Sequence, residues 1–414
     1  MTERSASALD EILRRHFHKV SAVTILVFLY KADYTSRRML EGFRLEADRA
    51  GWAVQVVEYT PTSGGGYSFL RAHGGSDIPS LLDFWQPDGC IVECDGSVEV
   101  VPLDAFPGVP AVFVDRSPAD AGPEGVCLVC DNAAVAASAA RELLLADFPD
   151  YAFISCPHNR PWSVERGEAF RRIVEQGGRR FHLFHFSSRT DRIDEMLGEI
   201  APWMRALPRP CGVFTSDDRV GEAVAVACEN LGLYVPDEVA IVGVDNSESI
   251  CENTRPTLSS VEKDLYGAGR AAARTLADLM AKRPVPALPL TFGVSRLVRR
   301  ASTLLVRNGD RRVRRALEFI RRHACEGATA ADAMREMGLR HAMADRVFRR
   351  ATGHTIQDEI LDTRVGKVRE LLLRHVPVAL LADRCGFGSV ANLRRAFRNR
   401  VGVPVGAWAA RHAR

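Results

Sequence analysis

The first three hundred residues alternate short apolar runs with longer stretches in which apolar residues recur every three or four positions. The apolar runs predict strands at residues 23–29, 52–58, 88–94, 110–116, 125–131, 151–156, 211–217 and 239–245. The stretches between them, such as "SRRMLEGFRLEADRAG" at residues 36–51, have the helical period. This alternation is typical of parallel sheets covered on both faces by helices. Eight or more strands over such a length predict two α/β lobes.

After Thr303 the pattern becomes wholly helical. It predicts helices at residues 311–328, 329–338, about 341–351, 356–375, 377–385 and from Ser389 onward. Thr329, with Asp332 three residues later, is a capping pair for the second of these helices. The fifth helix and the one after the Gly386–Gly388 turn repeat the first short pair. We therefore expect two helix-turn-helix units joined by the long helix 356–375.

A helical wheel separates two faces on the second helix of each unit. The inward sides carry Ala344, Val347 and Phe348 in the first unit and Leu393, Ala396 and Phe397 in the second. The outward residues are Ala342, Arg346 and Arg349 in the first unit, and Ala391, Asn392, Arg394, Arg395 and Arg398 in the second. A small residue followed by exposed arginines suits a helix that enters the major groove. A merely solvated arginine surface is the alternative, and the repetition of the layout favours DNA. Arg400 falls near the core side, so we assign it no base contact.

The charge distribution agrees with a separate DNA-binding module. Residues 310–414 hold 22 Lys and Arg against 11 Asp and Glu, a net charge of +11, whereas residues 1–309 have a net charge of −8. A basic segment joined to an acidic body indicates a polyanion-binding domain at the C-terminal end.

Length and cysteine usage narrow the class of protein. A chain of 414 residues exceeds the size of one typical core, so we expect at least two domains. The apolar run Ala22–Tyr30 is too short to cross a membrane, and no cleavage site accompanies it, so we expect a cytoplasmic protein without a membrane partner. Ten scattered cysteines favour reduced thiols. Cys127 and Cys130 point to opposite faces of one strand, which favours buried structural cysteines over a metal site. No metal or cofactor is expected.

Polar residues follow several apolar runs, where open parallel sheets bind their ligands. Tyr30 and Tyr34 follow the first strand, Asp115 ends the fourth, and Asp217, Asp218 and Asp245 end two later strands. Carboxylates and aromatic rings in such a cleft suit a polyhydroxylated molecule. As alternatives, Asp217 or Asp218 caps the next helix, and Asp245 only ends its strand in a turn. The "SGGGY" segment at 63–67 lacks the residues of a phosphate-binding loop and is interpreted as a flexible loop.

Two segments carry a family resemblance. Residues 210–248, "PCGVFTSDDRVGEAVAVACENLGLYVPDEVAIVGVDNSE", together with the later "RLVRRAST", resemble the effector domain of LacI/GalR regulators and periplasmic sugar-binding proteins. This resemblance implies a two-lobed sugar-binding domain over residues 22–305, after an N-terminal extension at 1–21. It also implies that Arg166, Asp217 and Asp245 contact the sugar. An exposed position for Arg166 at a helix start is the alternative.

The second resemblance covers residues 306–414, of which "RCGFGSVANLRRAFRNRVG" is the most specific part. This segment resembles the DNA-binding domain of the AraC/XylS family. The two resemblances together imply a periplasmic-binding-protein-like domain followed by an all-α domain, and a sugar-responsive transcriptional activator of pentose utilisation genes. The implied partners are double-stranded DNA, a sugar effector, RNA polymerase and a second copy of the chain. A sugar-binding transport or sensor protein without a transcriptional role is the alternative. An enzyme is disfavoured, because no nucleophile elbow or phosphate loop is present.

Overall fold

The computed structural model describes residues 23–30, 34–61, 67–70, 77–94, 101, 105–115, 126–190, 192–285, 290–305, 310–373 and 376–412. The chain separates into two compact units, Met1–Thr303 and Leu304–Arg414. The predicted N-terminal extension 1–21 and most of the "SGGGY" segment lie outside the described residues.

The described part of the first unit contains two sheets. The first has the strand order β12-β6-β5-β4-β1-β2-β3, and the second has the order β13-β11-β10-β9-β7-β8. Neighbouring strands run parallel except for the β2–β3 and β11–β13 pairs. The strands are β1 (Thr24–Tyr30), β2 (Ala53–Pro61), β3 (Tyr67–Leu70), β4 (Gly89–Glu93), β5 (Ala111–Val114), β6 (Val126–Cys130), β7 (Asp150–Ile154), β8 (Arg180–Phe184), β9 (Cys211–Thr215), β10 (Val239–Val244), β11 (Ser259–Lys263), β12 (Leu290–Phe292) and β13 (Val294–Val298).

All eight predicted strands are present, and the prediction of two α/β lobes is confirmed. The pattern of apolar runs did not predict β3, β8, β11, β12 and β13. Each of these is short, at a sheet edge or rich in polar residues, so it lacks the long apolar run of a central parallel strand. Cys127 packs with Phe28 and Phe113, whereas Cys130 packs in a different apolar cluster with Phe292. The two thiols therefore lie on opposite faces of β6, as predicted.

Helices cover both sheets. In the first unit they are α1 (Tyr34–Ala50), α2 (Ile78–Trp85), α3 (Asn132–Leu143), α4 (Pro161–Gln176), α5 (Ile193–Ala206), α6 (Asp218–Leu231), α7 (Glu248–Cys251) and α8 (Leu265–Met280). Helices α1 and α8 approach closely because each has a glycine at the contact. A Cβ atom on Gly269 would lie 1.9 Å from the Met39 carbonyl oxygen, and one on Gly42 would lie 2.0 Å from that of Tyr266.

Three short segments carry the chain from one sheet to the other. They lie between β6 and α3, between β11 and α8, and between β12 and β13. The Asp131 N–H donates to the Phe292 carbonyl oxygen at 2.8 Å, and the Asp264 N–H donates to that of Gly293 at 2.9 Å. The three segments are thus tied together beside the ends of the strands.

The second unit is helical throughout its described residues. Its helices are α9 (Arg311–His323), α10 (Ala330–Met337), α11 (His341–Thr352), α12 (Ile356–Leu373), α13 (Val378–Arg384), α14 (Val390–Val401) and α15 (Val405–His412). The predicted helix 311–328 ends earlier, at His323, because Gly327 with φ 95° closes the following short 3-10 turn. The Thr329–Asp332 capping box is present. Helix α15 was not predicted; it contributes Trp408, whose ring centroid lies 6.0 Å from that of Phe397.

Two apolar cores divide the second unit. One contains Val313, Leu317 and Phe348 with the start of α12, and the other contains Leu381, Phe397 and the end of α12. The prediction of two helix-turn-helix units joined by a long helix is confirmed.

Candidate functional site

A cavity of about 530 Å³ lies at the carboxyl ends of the strands of the first unit. Both sheets contribute to its wall: Tyr30 and Glu93 end strands of the first sheet, and Asp245 follows a strand of the second. Open parallel sheets bind ligands at this edge, because their polar strand ends converge there. The volume and the mixed polar and aromatic wall suit a small polar molecule.

Asp115 and Asp245 both line the cavity, as the sequence predicted. Each follows a strand with its backbone in the left-handed region, at φ 63° for Asp115 and φ 102° for Asp245. Non-glycine residues rarely adopt such values, and they cluster at sites that bind ligands. Asp245 therefore lines the cavity as well as following its strand.

Lys263, at the end of β11, was missed by sequence analysis and joins these two carboxylates. Its Nζ lies 2.9 Å from Asp245 Oδ1 and 4.0 Å from Asp115 Oδ2. Burial alone would lower the pKa of Lys263, but the two carboxylates raise it above its usual value. For Asp245, burial acts to raise the pKa, and the charges of Lys263 and Arg166 lower it overall. The position of Lys263 at the end of a strand could have indicated a cavity residue, but its strand, β11, was not predicted.

Arg166 lies in the first half of α4 and is 2% exposed, so the alternative of an exposed helix-start charge is wrong. Its Nε donates to Asn132 Oδ1 at 2.9 Å, and one terminal nitrogen donates to the Ser216 carbonyl oxygen at 2.7 Å. The guanidinium carbon lies 4.5 Å from the centre of the Trp162 ring. Trp162 lines the cavity, whereas Arg166 is not among the residues that line it in the described part of the chain. Arg166 thus fixes Trp162 and the end of β9 in place.

Asp217 and Asp218 both line the cavity at the start of α6. Asp217 is the N-cap, since its Oδ1 accepts from the Val220 N–H at 3.0 Å, which confirms the expectation that one of the pair caps this helix. Asp218 is 2% exposed and accepts from the Ser247 N–H at 2.8 Å and from Ser260 Oγ at 2.6 Å. Burial first, and then the charge of Asp245, raise the pKa of Asp218 to about 8.

The remaining predicted residue is Tyr34, and several further residues line the cavity. Tyr34 begins α1, and its side chain lies outside the described residues. Several residues that line the cavity were not predicted from the sequence: Glu93, His158, Arg160, Trp162 and Arg219. They follow strands or begin helices, as the predicted residues do. The sequence does not show how deeply such a side chain is buried or whether it points toward the cavity.

The predicted DNA-binding residues of the second unit are all exposed: Ala342, Arg346 and Arg349 on α11, and Ala391, Asn392, Arg394, Arg395 and Arg398 on α14. On the opposite sides, Ala344 and Phe348 in α11 and Leu393 and Phe397 in α14 are completely buried. Ser389 caps α14 by accepting from the Asn392 N–H at 3.2 Å. The helical wheel therefore placed both faces correctly.

Helices α11 and α14, which we predict to contact DNA and refer to as the reading helices, correspond position by position with an offset of 49 residues. Arg346 and Arg395 occupy equivalent places, as do Arg349 and Arg398. The helices differ where Asp345 of α11 corresponds to Arg394 of α14. Asp345 Oδ2 lies 3.3 Å from an Nη of Arg349, so the first helix carries one arginine that is paired within the helix.

Arg400 of α14 is exposed and faces the long helix α12. It pairs with the acidic residues of the long helix, with one Nη 2.5 Å from Asp358 Oδ1 and Nε 3.4 Å from Asp362 Oδ1. These contacts agree with its exclusion from the reading face.

Neither a metal cluster nor a membrane span is found in the described part of the chain. No group of three or more His, Cys, Asp or Glu side chains there is arranged to hold a metal ion. No helix there is long and apolar enough to cross a membrane.

Comparison with protein-family models finds both parts of the chain. Residues 140–303 match a periplasmic binding protein-like domain, and residues 333–411 match a helix-turn-helix domain. The first match covers the second sheet with the residues around Asp217 and Asp245, and the second covers α11 and α14.

Similar proteins match over most of the length of the chain. The chain is 26% identical to the xylose operon regulatory protein of Escherichia coli K12 over 390 residues, which cover 92% of this chain and 95% of that protein. It is 25% identical to the protein of the same name from Haemophilus influenzae over 75% of this chain and 82% of that one. Among solved structures, the xylose-binding transcription activator XylR matches with a TM-score of 0.59 at 23% identity, covering 95% of this chain and 100% of that one.

The named relatives are regulators rather than enzymes, and the helix-turn-helix match includes both reading helices. The chain is therefore similar to DNA-binding transcription regulators, and in it a periplasmic binding protein-like domain precedes a helix-turn-helix domain.

Proposed function

We propose that the chain is a sugar-responsive transcriptional activator of carbohydrate utilisation genes, with a pentose of the xylose type as effector. The observation that carries the proposal is the cavity at the strand ends, where Asp115 and Asp245 face each other around Lys263. Carboxylates accept hydroxyl protons and an ammonium group donates, so this arrangement suits vicinal hydroxyls. Trp162 offers an aromatic face for the C–H side of a sugar ring.

In this proposal the sugar-binding domain spans residues 22–305 and the DNA-binding domain spans 306–414. Asp115, Asp217 and Asp245 contact the sugar, Tyr34 adds a contact from the start of α1, and Arg166 holds Trp162 against it. The choice of a pentose and of activation rests on the names of the relatives, which are a xylose operon regulator and a xylose-binding activator.

The DNA-binding part of the proposal assigns α11 and α14 to successive major grooves of one operator half-site. Arginines at equivalent positions of the two helices contact guanine edges or phosphates. The chain acts in the cytoplasm as a homodimer, contacts RNA polymerase as an activator, and requires no cofactor. Sugar binding changes operator affinity only if the sugar binds the DNA-binding and free states with different affinities.

A thermal-shift screen tests the ligand. The purified chain is heated with D-xylose, L-arabinose, D-ribose, D-glucose and D-galactose, and we expect the pentoses to raise the melting temperature most. The sugar with the largest shift is then added to a binding titration with a DNA duplex selected from a random pool by the full-length chain. A sugar that shifts the melting temperature without any selected duplex would instead support a sugar-binding protein with no transcriptional role. The absence of any sugar effect on either readout would overturn the proposal.

A further inference from the structure

Residues Arg300–Thr303 end the first unit, and the chain continues directly into Leu304 of the second. They are unusually buried for polar residues, since Arg300 is 4% exposed, Ser302 is 0% exposed and Thr303 is 9% exposed. A buried arginine is rare unless its donors are used. The hydrogen-bond partners of Arg300 therefore show which residues hold the C-terminal end of the first unit in place.

The Arg300 guanidinium donates hydrogen bonds in three directions. One terminal nitrogen donates to Asn246 Oδ1 at 2.8 Å, the other donates to the Leu258 carbonyl oxygen at 2.9 Å, and Nε donates to Glu252 Oε1 at 2.7 Å. Glu252 lies on the outer side, with its side chain 36% exposed, whereas Asn246 is 3% exposed. The bond to Asn246 leads toward the ligand cavity.

Asn246 directly follows the cavity residue Asp245, and both are in the left-handed region, with φ 54° and φ 102°. The Asn246 N–H donates to Ser260 Oγ at 3.0 Å, and the Ser260 hydroxyl donates to Asp218 Oδ1 at 2.6 Å. Asp218 also lines the cavity. Two residues of the cavity wall are thus joined to Arg300, one through the backbone and one through a buried hydroxyl.

The backbone at Arg300 is held from the other side by β11. The Arg300 N–H donates to Ser259 Oγ at 2.7 Å, and Ser259 Oγ lies 2.8 Å from Thr303 Oγ1. Ser302 Oγ accepts from the Ser259 N–H at 2.8 Å. Because Arg300 and Thr303 share one hydroxyl, a displacement of the arginine changes the position of the residues that enter the second unit.

We propose that Arg300 is a positioning residue that transmits ligand binding at Asp245 and Asp218 to the segment leading into the helix-turn-helix unit. This inference rests on the proposed function, because it needs both a ligand and a DNA site. A ligand that engages the Asp245 carboxylate acts on a strained two-residue turn, and the Asn246 side chain carries any change in that turn to the guanidinium. Buried polar groups change partners discretely, since leaving one unpaired is costly.

The test measures ligand affinity with and without bound DNA. The full-length chain is titrated with the sugar of largest thermal shift, in the absence and in the presence of saturating selected duplex. Linkage requires the ratio of the two dissociation constants to equal the effect of the sugar on DNA affinity, typically about 5-fold to 150-fold. In Asn246→Gly, the backbone keeps its positive φ without strain, while the side-chain hydrogen bonds to Arg300 and to Glu262 are both lost. In this variant we expect the sugar dissociation constants with and without DNA to differ by no more than about two-fold, which is below the usual range of allosteric coupling.

Arg300→Lys removes the same Arg300–Asn246 hydrogen bond from the other side. Lysine keeps the positive charge near Glu252 but cannot donate in three fixed directions. Glu252→Gln is the matched control: it weakens the outer partner of Arg300 and should leave the ratio unchanged. If Arg300→Lys fails to fold, Asn246→Gly alone decides. If DNA changes sugar affinity equally in the wild type and in Asn246→Gly, this inference is overturned. If DNA does not change sugar affinity in the wild type, the proposed function itself is overturned.

Discussion

Lys263 Nζ lies 2.9 Å from Asp245 Oδ1; Lys263 ends β11, and Asp245 directly follows the neighbouring parallel strand β10. The lysine side chain is 8% exposed, so its charge is compensated by Asp245 and by the more distant Asp115. A buried ion pair of this kind contributes little by itself, but removing one partner leaves an uncompensated charge. We therefore expect the stability of the first unit to depend on Lys263.

Lys263→Met should destabilise the first unit by about 3–5 kcal/mol near neutral pH, because two carboxylates lose their shared cation. The pKa of Asp245, which Lys263 now helps to lower, rises in the variant. A carboxyl with a raised folded-state pKa is stabilising at low pH and loses that contribution as pH rises, so the defect should be smaller at pH 5 than at pH 8. Urea unfolding at both pH values measures this, and Lys263→Met with Asp245→Asn should recover part of the loss. An equal defect at both pH values would contradict the ion-pair explanation.

Separate variants should divide the two binding activities. Arg395→Ala should weaken binding to the selected duplex by about 1–3 kcal/mol and leave sugar affinity unchanged, because the side chain is on the exposed face of α14. The double variant Lys263→Met with Asp245→Asn, which leaves neither partner of the buried pair uncompensated, should abolish sugar binding and retain binding to DNA in the absence of sugar. Arg335→Ala on α10, an exposed arginine outside both reading helices, is the control for nonspecific loss of charge. Loss of both activities in either variant would indicate misfolding instead.

Asp150 begins β7 with its side chain 1% exposed, between Arg180 and His182. The hydrogen bond from Arg180 and then that of His182 hold the pKa of Asp150 at about 2, against the opposing effect of burial. A lowered folded-state pKa gives stability that is present above pH 4 and is lost as the pH falls toward 2.

Asp150→Asn should therefore cost on the order of 1–2 kcal/mol at pH 6, a figure reduced from the full pKa difference because Arg180 is exposed. The difference from wild type should shrink below pH 4, as measured by urea unfolding at pH 6 and pH 3. Asp194→Asn, in an exposed pair with Arg192, should show no measurable change at either pH. A constant difference across this range would exclude titration of Asp150 as its cause.

The sequence allowed the α/β lobes, the two helix-turn-helix units and their exposed arginines to be predicted, because each depends on local periodicity. The ends of β5, β9 and β10 were also visible, since apolar runs there stop at aspartates. Lys263 and Trp162 could not be identified in the same way, because their place in the wall depends on the crossovers between the two sheets. Arg166 shows the limit most clearly, since a sequence cannot separate an exposed helical arginine from a buried one that holds Asn132 and Ser216.

Two glycines in helices should respond oppositely to alanine. A Cβ on Gly269 of α8 would lie 1.9 Å from the Met39 carbonyl oxygen, whereas nothing lies within 4 Å of one on Gly366 in α12. Gly269→Ala should force α1 and α8 apart and cost about 1–3 kcal/mol or more, as overpacking does. Gly366→Ala should stabilise the second unit by about 0.5–1 kcal/mol, because alanine is the better helix former. Thermal unfolding of both variants tests this, and a stabilised Gly269→Ala would contradict the close helix contact.

The difference between Asp345 and Arg394 at equivalent positions of the reading helices predicts unequal contributions to DNA binding. Asp345 Oδ2 lies 3.3 Å from Arg349 and places a negative charge beside the exposed arginines of α11. Asp345→Ala should therefore tighten binding to the selected duplex, since it releases Arg349 and removes repulsion from phosphates. Arg394→Ala should weaken binding and reduce the slope of log affinity against log salt by about one, if this arginine contacts a phosphate. Titrations at several salt concentrations measure both effects, and Glu336→Ala on α10 controls for the removal of an exposed acid elsewhere in the unit. Weaker binding by Asp345→Ala would mean that the aspartate supports Arg349 in its reading position, and that the two helices contribute through different geometry.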